Sequence, residues 1–448
     1  MNWNNQKILV IGLGKTGLSM LQFLQEEGAF VAGFNHQLSD EKRSELAQKF
    51  PTISFYSDSL KNALQHDDFT IAAISPGISA FLPELQAFIA RGGKVMGDIE
   101  ILCHLIHGRR DKIIAITGSN GKSTVTELTG FLCRSCGLDT IVAGNIGLPV
   151  LDAYRQRNGE PADVWVLELS SFQLETVSQL SADAAVCLNI SEDHLDRYHD
   201  LLHYAQVKSS IFHGARTQVL NADDVLCRAM MRSSCDTQLF SQSPCDGYYI
   251  DQANGCLMHG DTVLGNLKDL PLTGMHNATN ILAALALCES IGLSRSDLLS
   301  ALPQFKGLPH RVEKIGEHQG VIFIDDSKGT NVGATAAALA GADAPVVLIA
   351  GGLGKGQDFT PLAVAAQDKV KHTFLIGQDA GKIQQAFQAA CLPTTVCESL
   401  EEATQKAFQA ASSGDWVLLS PACASMDMFR DYAHRSEVFI QSFQELAS

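Results

Sequence analysis

The segment Gly118-Ser119-Asn120-Gly121-Lys122-Ser123-Thr124 follows the apolar run Lys112–Thr117 and opens a helical pattern that reaches Cys136. Those residue types at that spacing suit a nucleoside triphosphate. Backbone amides at a helix start can cradle phosphates, Lys122 can neutralise the terminal one, and a hydroxyl of Ser123 or Thr124 can reach Mg²⁺. The loop is shorter than GxxxxGK[ST], because Ile116 stands where the first glycine of that spacing would fall. The strand–turn–helix context preserves the physics, and the segment reads as an ATP site. A metal there needs hard oxygen ligands. Glu168 ends the run Val164–Leu169 just before Ser170-Ser171. A glutamate at a strand end is more often merely solvated, but beside a phosphate loop it becomes a candidate Mg²⁺ carboxylate.

Further along, Asn189-Ile-Ser-Glu-Asp193-His194-Leu-Asp-Arg197 follows another apolar run. His194, His199 and His203 raise zinc, but no HExxH is present and the neighbours are carboxylates and hydroxyls, so zinc is disfavoured. Lys208 reads as an ordinary exposed helix lysine. Gly12-Leu13-Gly14-Lys15-Thr16-Gly17 is a GxGxxG turn between a strand and a helix, suited to a diphosphate. A nicotinamide dinucleotide also wants an acidic residue at the end of the next strand. Asn35-His36-Gln37 stands there, which disfavours a dehydrogenase and favours another diphosphate ligand over a turn that binds nothing. Asp325-Asp326, followed by Ser327-Lys328-Gly329-Thr330-Asn331, suits nucleotide or substrate contact; a plain helix N-cap is the alternative. Gly351-Gly352-Leu353-Gly354-Lys355 pairs a glycine turn with a cation, as an anionic substrate group would require. Cys133 and Cys136 are read as small hydrophobes on one helix, since no second CxxC accompanies them.

These residues need a scaffold of strand, turn and helix, repeated. Lys7–Ile11, Ala29–Phe34 and Thr70–Ile74 are strands of a first unit that closes near Gly97-Asp98. Lys112–Thr117, Val164–Leu169, Ala184–Ile190 and Gln218–Leu220 are strands of a second unit. Between Phe240 and Gly265 the runs become short and alternating around Asn254-Gly255, a hairpin signal that predicts an antiparallel annex. A helix over Asn277–Ser290 leads to a linker at Leu302–Pro309. Val321–Asp325, Val346–Ala350, Thr373–Ile376 and Trp416–Ser420 give a third unit. Short apolar runs alternating with amphipathic helices predict α/β architecture with parallel sheets, and ligands in the crevice at the carboxyl ends of the strands. The expected domains are 1–98, 99–307 and 308–448.

Composition agrees with this. The 448 residues are 46% apolar and 18% charged, with 37 Gly and 13 Pro, enough chain for several globular cores. A formal charge of −16 argues against nucleic-acid binding and anionic membranes. No apolar run approaches the ~18–20 residues that span a bilayer, and Met1–Gly14 lacks a cationic leader. Twelve cysteines are too sparse for a disulfide scaffold. A soluble, unprocessed cytoplasmic chain is expected.

Taken in order, the motifs resemble the Mur ligases of bacterial cell-wall synthesis: GxGxxG, TGSNGKST, GNIG (Gly144–Gly147), LELSSFQLE (Leu167–Glu175), NISEDHLDRY, GMHNATNILAAL (Gly274–Leu285), LPHRVE (Leu308–Glu313), DDSKGTN and SPACASMDMF (Ser420–Phe429). The resemblance covers essentially the whole chain. It implies a Rossmann-like N-terminal domain for a uridine nucleotide, a central P-loop-type ATPase domain with a mixed sheet, and a Rossmann-like C-terminal domain for the incoming amino acid. The DDSKGTN and SPACAS versions resemble the branch that joins D-glutamate to UDP-N-acetylmuramoyl-L-alanine with ATP, through an acyl phosphate; the DNPR motif of the diaminopimelate- and lysine-adding siblings is missing.

By motif, the resemblance implies that Lys122 holds the γ-phosphate, Ser123 or Thr124 and Glu168 bind one Mg²⁺, and His194 and a carbamylated Lys208 serve a second. Asn277, Asn280, Arg311 and Asp326 match nucleotide contacts. Thr16, Ser75, Gly77 and Asn145 match the uridine-substrate side, and Lys328, Thr330, Lys355, Ser425 and Tyr432 the D-glutamate pocket. A monomer is implied. The chain departs from the family at Asn35 and Gln37, where Asp and Arg are frequent, at Leu353, where Asp is frequent, and at Tyr432, where Phe is common. Rival readings are an L-alanine-adding ligase, a folylpolyglutamate synthase-like ligase, and a non-catalytic nucleotide-binding protein. The first would carry a histidine-rich segment in place of DDSKGTN, the second would not need the GxGxxG domain, and the third would have lost Lys122, Glu168, His194 or Lys208. With the ATP and amino-acid sites on different domains, hinge closure near Leu302–Pro309 is expected.

Overall fold

A computed structural model describes residues 2–66, 68–272, 274–308 and 310–447. Short apolar runs form strands wherever they can be buried on both faces. Lys7–Ile11 (β1) is exposed only at Lys7, and Ile71–Ile74 (β4) is buried throughout. With Phe30–Phe34 (β2), Ser54–Tyr56 (β3) and Lys94–Met96 (β5), they make an all-parallel sheet of order β3-β2-β1-β4-β5. Chain order reverses between β1 and β4, which opens a crevice at their carboxyl ends.

The second sheet contains Lys112–Thr117 (β6), Thr140–Gly144 (β7), Val164–Glu168 (β8), Ala184–Cys187 (β9), Thr217–Asn221 (β10), Asp236–Ser241 (β11), Tyr248–Asp251 (β12), Cys256–His259 (β13) and Thr262–Asn266 (β14). Their order is β14-β13-β12-β11-β10-β9-β6-β8-β7, parallel from β7 to β12 and antiparallel through the last two pairs. The expected annex is therefore present, with its turn at Asn254-Gly255. The almost wholly buried helix Met275–Ser290 packs with Lys122–Ser135 over one face.

The third sheet has Glu313–His318 (β15), Val321–Asp325 (β16), Val346–Gly351 (β17), Val370–Ile376 (β18), Thr394–Val396 (β19) and Trp416–Leu419 (β20), in the order β15-β16-β20-β17-β18-β19. Only β15 is antiparallel to its neighbour. The predicted linker is partly structured: Leu302 and Phe305 are buried, while Pro309 lies outside the described residues. The α/β architecture of three sheets is as expected. Strands β3, β5, β7, β15 and β19, all at sheet edges, have no clear signal in the sequence. No helix among the described residues is long and apolar enough to cross a membrane, and all twelve cysteines are free.

Candidate active site

Each sheet turns its carboxyl ends toward a common centre. After β6 the chain enters Gly118–Gly121 and then the helix Lys122–Ser135. Gly121, at φ +83°, takes the left-handed conformation that favours glycine, and a Cβ there would lie 2.6 Å from Asn280 Oδ1. Lys122 Nζ donates to the carbonyls of Gly118 and Ser119 at 2.8 and 2.9 Å, so it folds back over its own loop. Burial lowers its pKa, against the opposing charges of Glu168 and Asp193. Ser123 and Thr124 are buried at the first turn.

Glu168, 1% exposed, accepts from Asn145 Nδ2 at 2.8 Å through Oε1. Its Oε2 is buried without a hydrogen-bond partner. An orphaned carboxylate oxygen beside a phosphate loop and two hydroxyls is the donor set a hard cation takes, so these residues fit Mg²⁺. His194 holds a left-handed backbone, φ +55°, and burial pushes its imidazole down to about 4, keeping it neutral. His199 and His203 stack on one another at 5.2 Å instead of joining His194. Among the described residues, the group of metal-capable side chains close together is His310, Glu313 and Asp325, already satisfied by its own hydrogen bonds.

Lys208 departs from the exposed lysine expected of it. It is 1% exposed, donating to Thr117 Oγ1 at 3.2 Å and the Gly118 carbonyl at 2.9 Å, with its ammonium 4.8 Å from the Tyr204 ring centre. Burial, then the nearby Lys122 charge, push its pKa down to about 7. The helix Leu201–Ser209 has little amphipathic contrast in sequence, which hides its inward face.

A cleft behind the phosphate loop is lined by Asn120, Gly121, Thr124, Asn277, Asn280, Arg311 and Asp326, with His276 and Ala334 supplying less polar walls. Arg311 Nε is buried without a partner there. Burial raises the Asp326 carboxyl to about 6, with Arg311 opposing the shift. A second, open cleft brings Gly12–Thr16 and Ser75–Ile78 of the first sheet against Gly144, Asn145, Gly147 and Gln173 of the second. Thr16, Ser75, Gly77 and Asn145 thus share one cleft, with Asn35 at its rim. A Cβ on Gly17 would overlap the Gly12 carbonyl, and Ser75 Oγ donates to that same carbonyl at 2.7 Å. Glycine at 17 is what lets the turn close.

The remaining candidates lie on loops at the carboxyl ends of β16, β17 and β20, except Tyr432, which opens the helix Tyr432–Ala447. Lys328 Nζ sits 5.4 Å from the Tyr432 ring centre, and burial, then Arg311, bring its pKa down to about 8. Ser425 is buried and Thr330 half-buried. Lys355 is paired with Asp193 at 2.6 Å. The sequence reading missed several residues. Asn189 accepts the Asn120 amide N–H at 2.8 Å and donates to the Asn120 carbonyl at 3.0 Å. Asp193, Arg197, Glu175 and Tyr204 also belong here. The polar density of NISEDHLDRY was a signal for Asn189, Asp193 and Arg197, though not for whom they would touch; Glu175 and Tyr204 lie outside that segment.

A phosphate loop with one α/β crevice on each side is the layout of a nucleotide-dependent enzyme built from three units. Family models match in succession: "Mur ligase MurD-like, N-terminal domain" over 6–97, "Mur ligase middle domain" over 116–288, and "Mur ligase, glutamate ligase domain" over 310–423. The chain belongs to the Mur ligase family. A UDP-N-acetylmuramoylalanine–D-glutamate ligase of Chromobacterium violaceum is 50% identical to it over 451 residues, 99% of this chain and 98% of that relative. One of Methylobacillus flagellatus is 46% identical, covering 99% and 97%. Among solved structures, the UDP-N-acetylmuramate–alanine ligase of Thermotoga maritima superposes with TM-score 0.62 at 18% identity over 98% of this chain and 99% of that one, a likeness of fold.

Proposed function

We propose that this chain is the cytoplasmic ligase that joins D-glutamate to UDP-N-acetylmuramoyl-L-alanine in peptidoglycan precursor synthesis. The observation that carries the reading is the Asn145–Glu168 hydrogen bond, 2.8 Å long. It sets the wall of the first-sheet cleft directly beside the carboxylate of the phosphate-loop centre. A nucleotide-sugar lying in that cleft, with Thr16, Ser75 and Gly77 around its diphosphate end, delivers its terminal carboxylate to the γ-phosphate of ATP.

The domains are taken as 1–98, 99–307 and 308–448. The phosphate loop, Gly118 to Thr124, holds the triphosphate; Asn277, Asn280, Arg311 and Asp326 hold the nucleoside. Lys122 leaves its two carbonyls for the γ-phosphate. Mg²⁺, held by Ser123 or Thr124 and Glu168, supplies charge neutralisation for the phosphoryl transfer. The substrate carboxylate attacks the γ-phosphorus and ADP leaves, giving an acyl phosphate. Lys328, Thr330, Lys355, Ser425 and Tyr432 orient D-glutamate so that its neutral amine attacks the acyl carbon. The tetrahedral intermediate collapses with loss of phosphate, and the amine proton passes to solvent or to the leaving phosphate. Catalysis is mainly positioning and charge neutralisation.

A second Mg²⁺ held by His194 and Lys208, with Lys208 carbamylated, is part of the proposal. It is supported by the burial of Lys208 without a carboxylate among its hydrogen-bond partners, and by the neighbouring Lys122 ammonium. An amine near pKa 7 is available as a nucleophile for CO₂, and a carbamate would convert a repelling cation into a ligand.

The test is phosphate release from Mg-ATP with UDP-N-acetylmuramoyl-L-alanine and D-glutamate, L-glutamate or L-alanine. Turnover with D-glutamate alone is expected; turnover with L-alanine or none with D-glutamate refutes the reading. For Lys208, ¹³CO₂ should give a carbamate resonance that Lys208→Ala lacks, and short carboxylic acids should restore turnover to that variant.

A further inference from the structure

One buried ion pair lies outside every role assigned above. Arg197 and Glu175 face each other across the second domain, with side chains 11% and 0% exposed. The guanidinium grips the carboxylate with two hydrogen bonds: Nε to Oε1 at 2.8 Å and Nη2 to Oε2 at 2.6 Å. The remaining donors of Arg197 cross to the first domain. Nη1 donates to the Pro76 carbonyl and Nη2 to that of Ile78, both at 3.0 Å. Glu175 Oε2 returns the contact by accepting the Ala80 N–H at 3.1 Å, and Oε1 accepts the Tyr198 hydroxyl at 2.9 Å. Thus the pair holds the loop that carries Ser75 and Gly77, through its own backbone.

The same arginine reaches the phosphoryl-transfer side. Its guanidinium lies 4.0 Å over the Phe172 ring, and Phe172 meets the His194 ring edge-on at 4.5 Å. The His194 carbonyl accepts the N–H groups of Arg197 and Tyr198, which closes the strained turn on which His194 sits. A planar fork satisfied on all sides is a task for arginine, which lysine cannot perform.

We propose that Arg197 and Glu175 are positioning residues that register the first-domain cleft loop against the His194 turn, so that the nucleotide-sugar is presented to ATP at a fixed distance. This rests on reading the first-domain cleft as the nucleotide-sugar site. A chemistry that depends on near-attack placement is sensitive to an error of about 1 Å, and no other side chain contributes hydrogen bonds to both Pro76 and Ile78 among the described residues.

The test uses the full-length enzyme with Arg197→Lys, Glu175→Gln and Tyr198→Phe. Arg197→Lys should raise KM for UDP-N-acetylmuramoyl-L-alanine at least tenfold and lower kcat, with ATP affinity of the free enzyme within twofold of the parent. In Arg197→Ala, added guanidinium should restore part of the activity, which a merely structural defect would not allow. If the arginine variants do not fold, Tyr198→Phe decides: KM for the nucleotide-sugar should rise about threefold at unchanged ATP affinity. An unchanged nucleotide-sugar KM in any folded variant, or a parallel fall in ATP affinity, overturns the inference. Failure of the parent enzyme to turn over this substrate would instead overturn the functional reading beneath it.

Discussion

Lys355 Nζ lies 2.6 Å from Asp193 Oδ1, joining the loop after β17 to the loop after β9 across 162 residues of sequence. Asn331 Nδ2 approaches the other oxygen of Asp193 at 3.4 Å. Burial works against ionisation of Asp193, yet Lys355 and its neighbours hold the carboxyl below its usual value. The third domain is therefore latched onto the second by the very lysine proposed to receive the amino acid.

Leaving a buried carboxylate without its cation costs on the order of 3–5 kcal/mol. Lys355→Met should accordingly open the ligand-free molecule, enlarging its radius of gyration in small-angle scattering, and lower kcat/KM for D-glutamate by about 100-fold or more. A scattering curve identical to the parent's would show that the ion pair does not hold the domains together.

Glu168→Gln keeps an acceptor for Asn145 but removes the charge at the orphaned oxygen. Half-saturation by Mg²⁺ should rise at least tenfold while nucleotide-sugar binding changes little, read by titrating Mg²⁺ in the phosphate-release assay. An unaltered Mg²⁺ dependence would remove Glu168 from the metal site.

Asp98 begins the helix Asp98–Ile106; it is 2% exposed and neither of its oxygens has a well-formed hydrogen bond. Burial raises its carboxyl from 3.8 to about 6. Between those values the folded protein binds the proton more tightly than the unfolded chain, so stability falls as pH rises through the window. Above about pH 6 the full penalty is present, on the order of 3 kcal/mol. Asp98→Asn should thus be more stable than the parent at pH 7.5 and lose most of that advantage near pH 4, as followed by urea unfolding at each pH. An advantage independent of pH would contradict the assignment.

Asp326 is also held near 6 by burial, and its proposed role is that of a carboxylate acceptor for the nucleotide. As pH falls through 6 the acceptor is lost, so KM for ATP should climb on the acid side. Asp326→Asn should flatten that limb, with a higher KM throughout; a limb unchanged in the variant would assign it to another group.

The candidate residues that depend on local geometry were legible from the chain. Gly118–Thr124 and Gly12–Gly17 announce themselves because turn, strand and helix are contiguous, and Glu168 because it ends an apolar run. What could not be read was decided by distant partners. Lys208 looks like any helix lysine until Thr117 and Tyr204 close over it, and Arg197 looks like one more charge in a polar loop until Glu175 and the Pro76 and Ile78 carbonyls meet it. The edge strands β3, β5 and β19 are three residues each, too short for their alternation to stand out, and they exist because a neighbouring strand offers hydrogen bonds.

Lys122 bonded to its own loop and Lys355 bonded to Asp193 have a common consequence. Both cations are held by acceptors of the protein itself, and on the proposed roles each must be drawn away by a different ligand, Lys122 by the γ-phosphate and Lys355 by D-glutamate. An acyl phosphate is readily lost to water, so on the proposed roles the two lysines would work like the two doors of an airlock: ATP would draw Lys122 from its loop, and Lys355 would leave Asp193 only when the amino acid arrives.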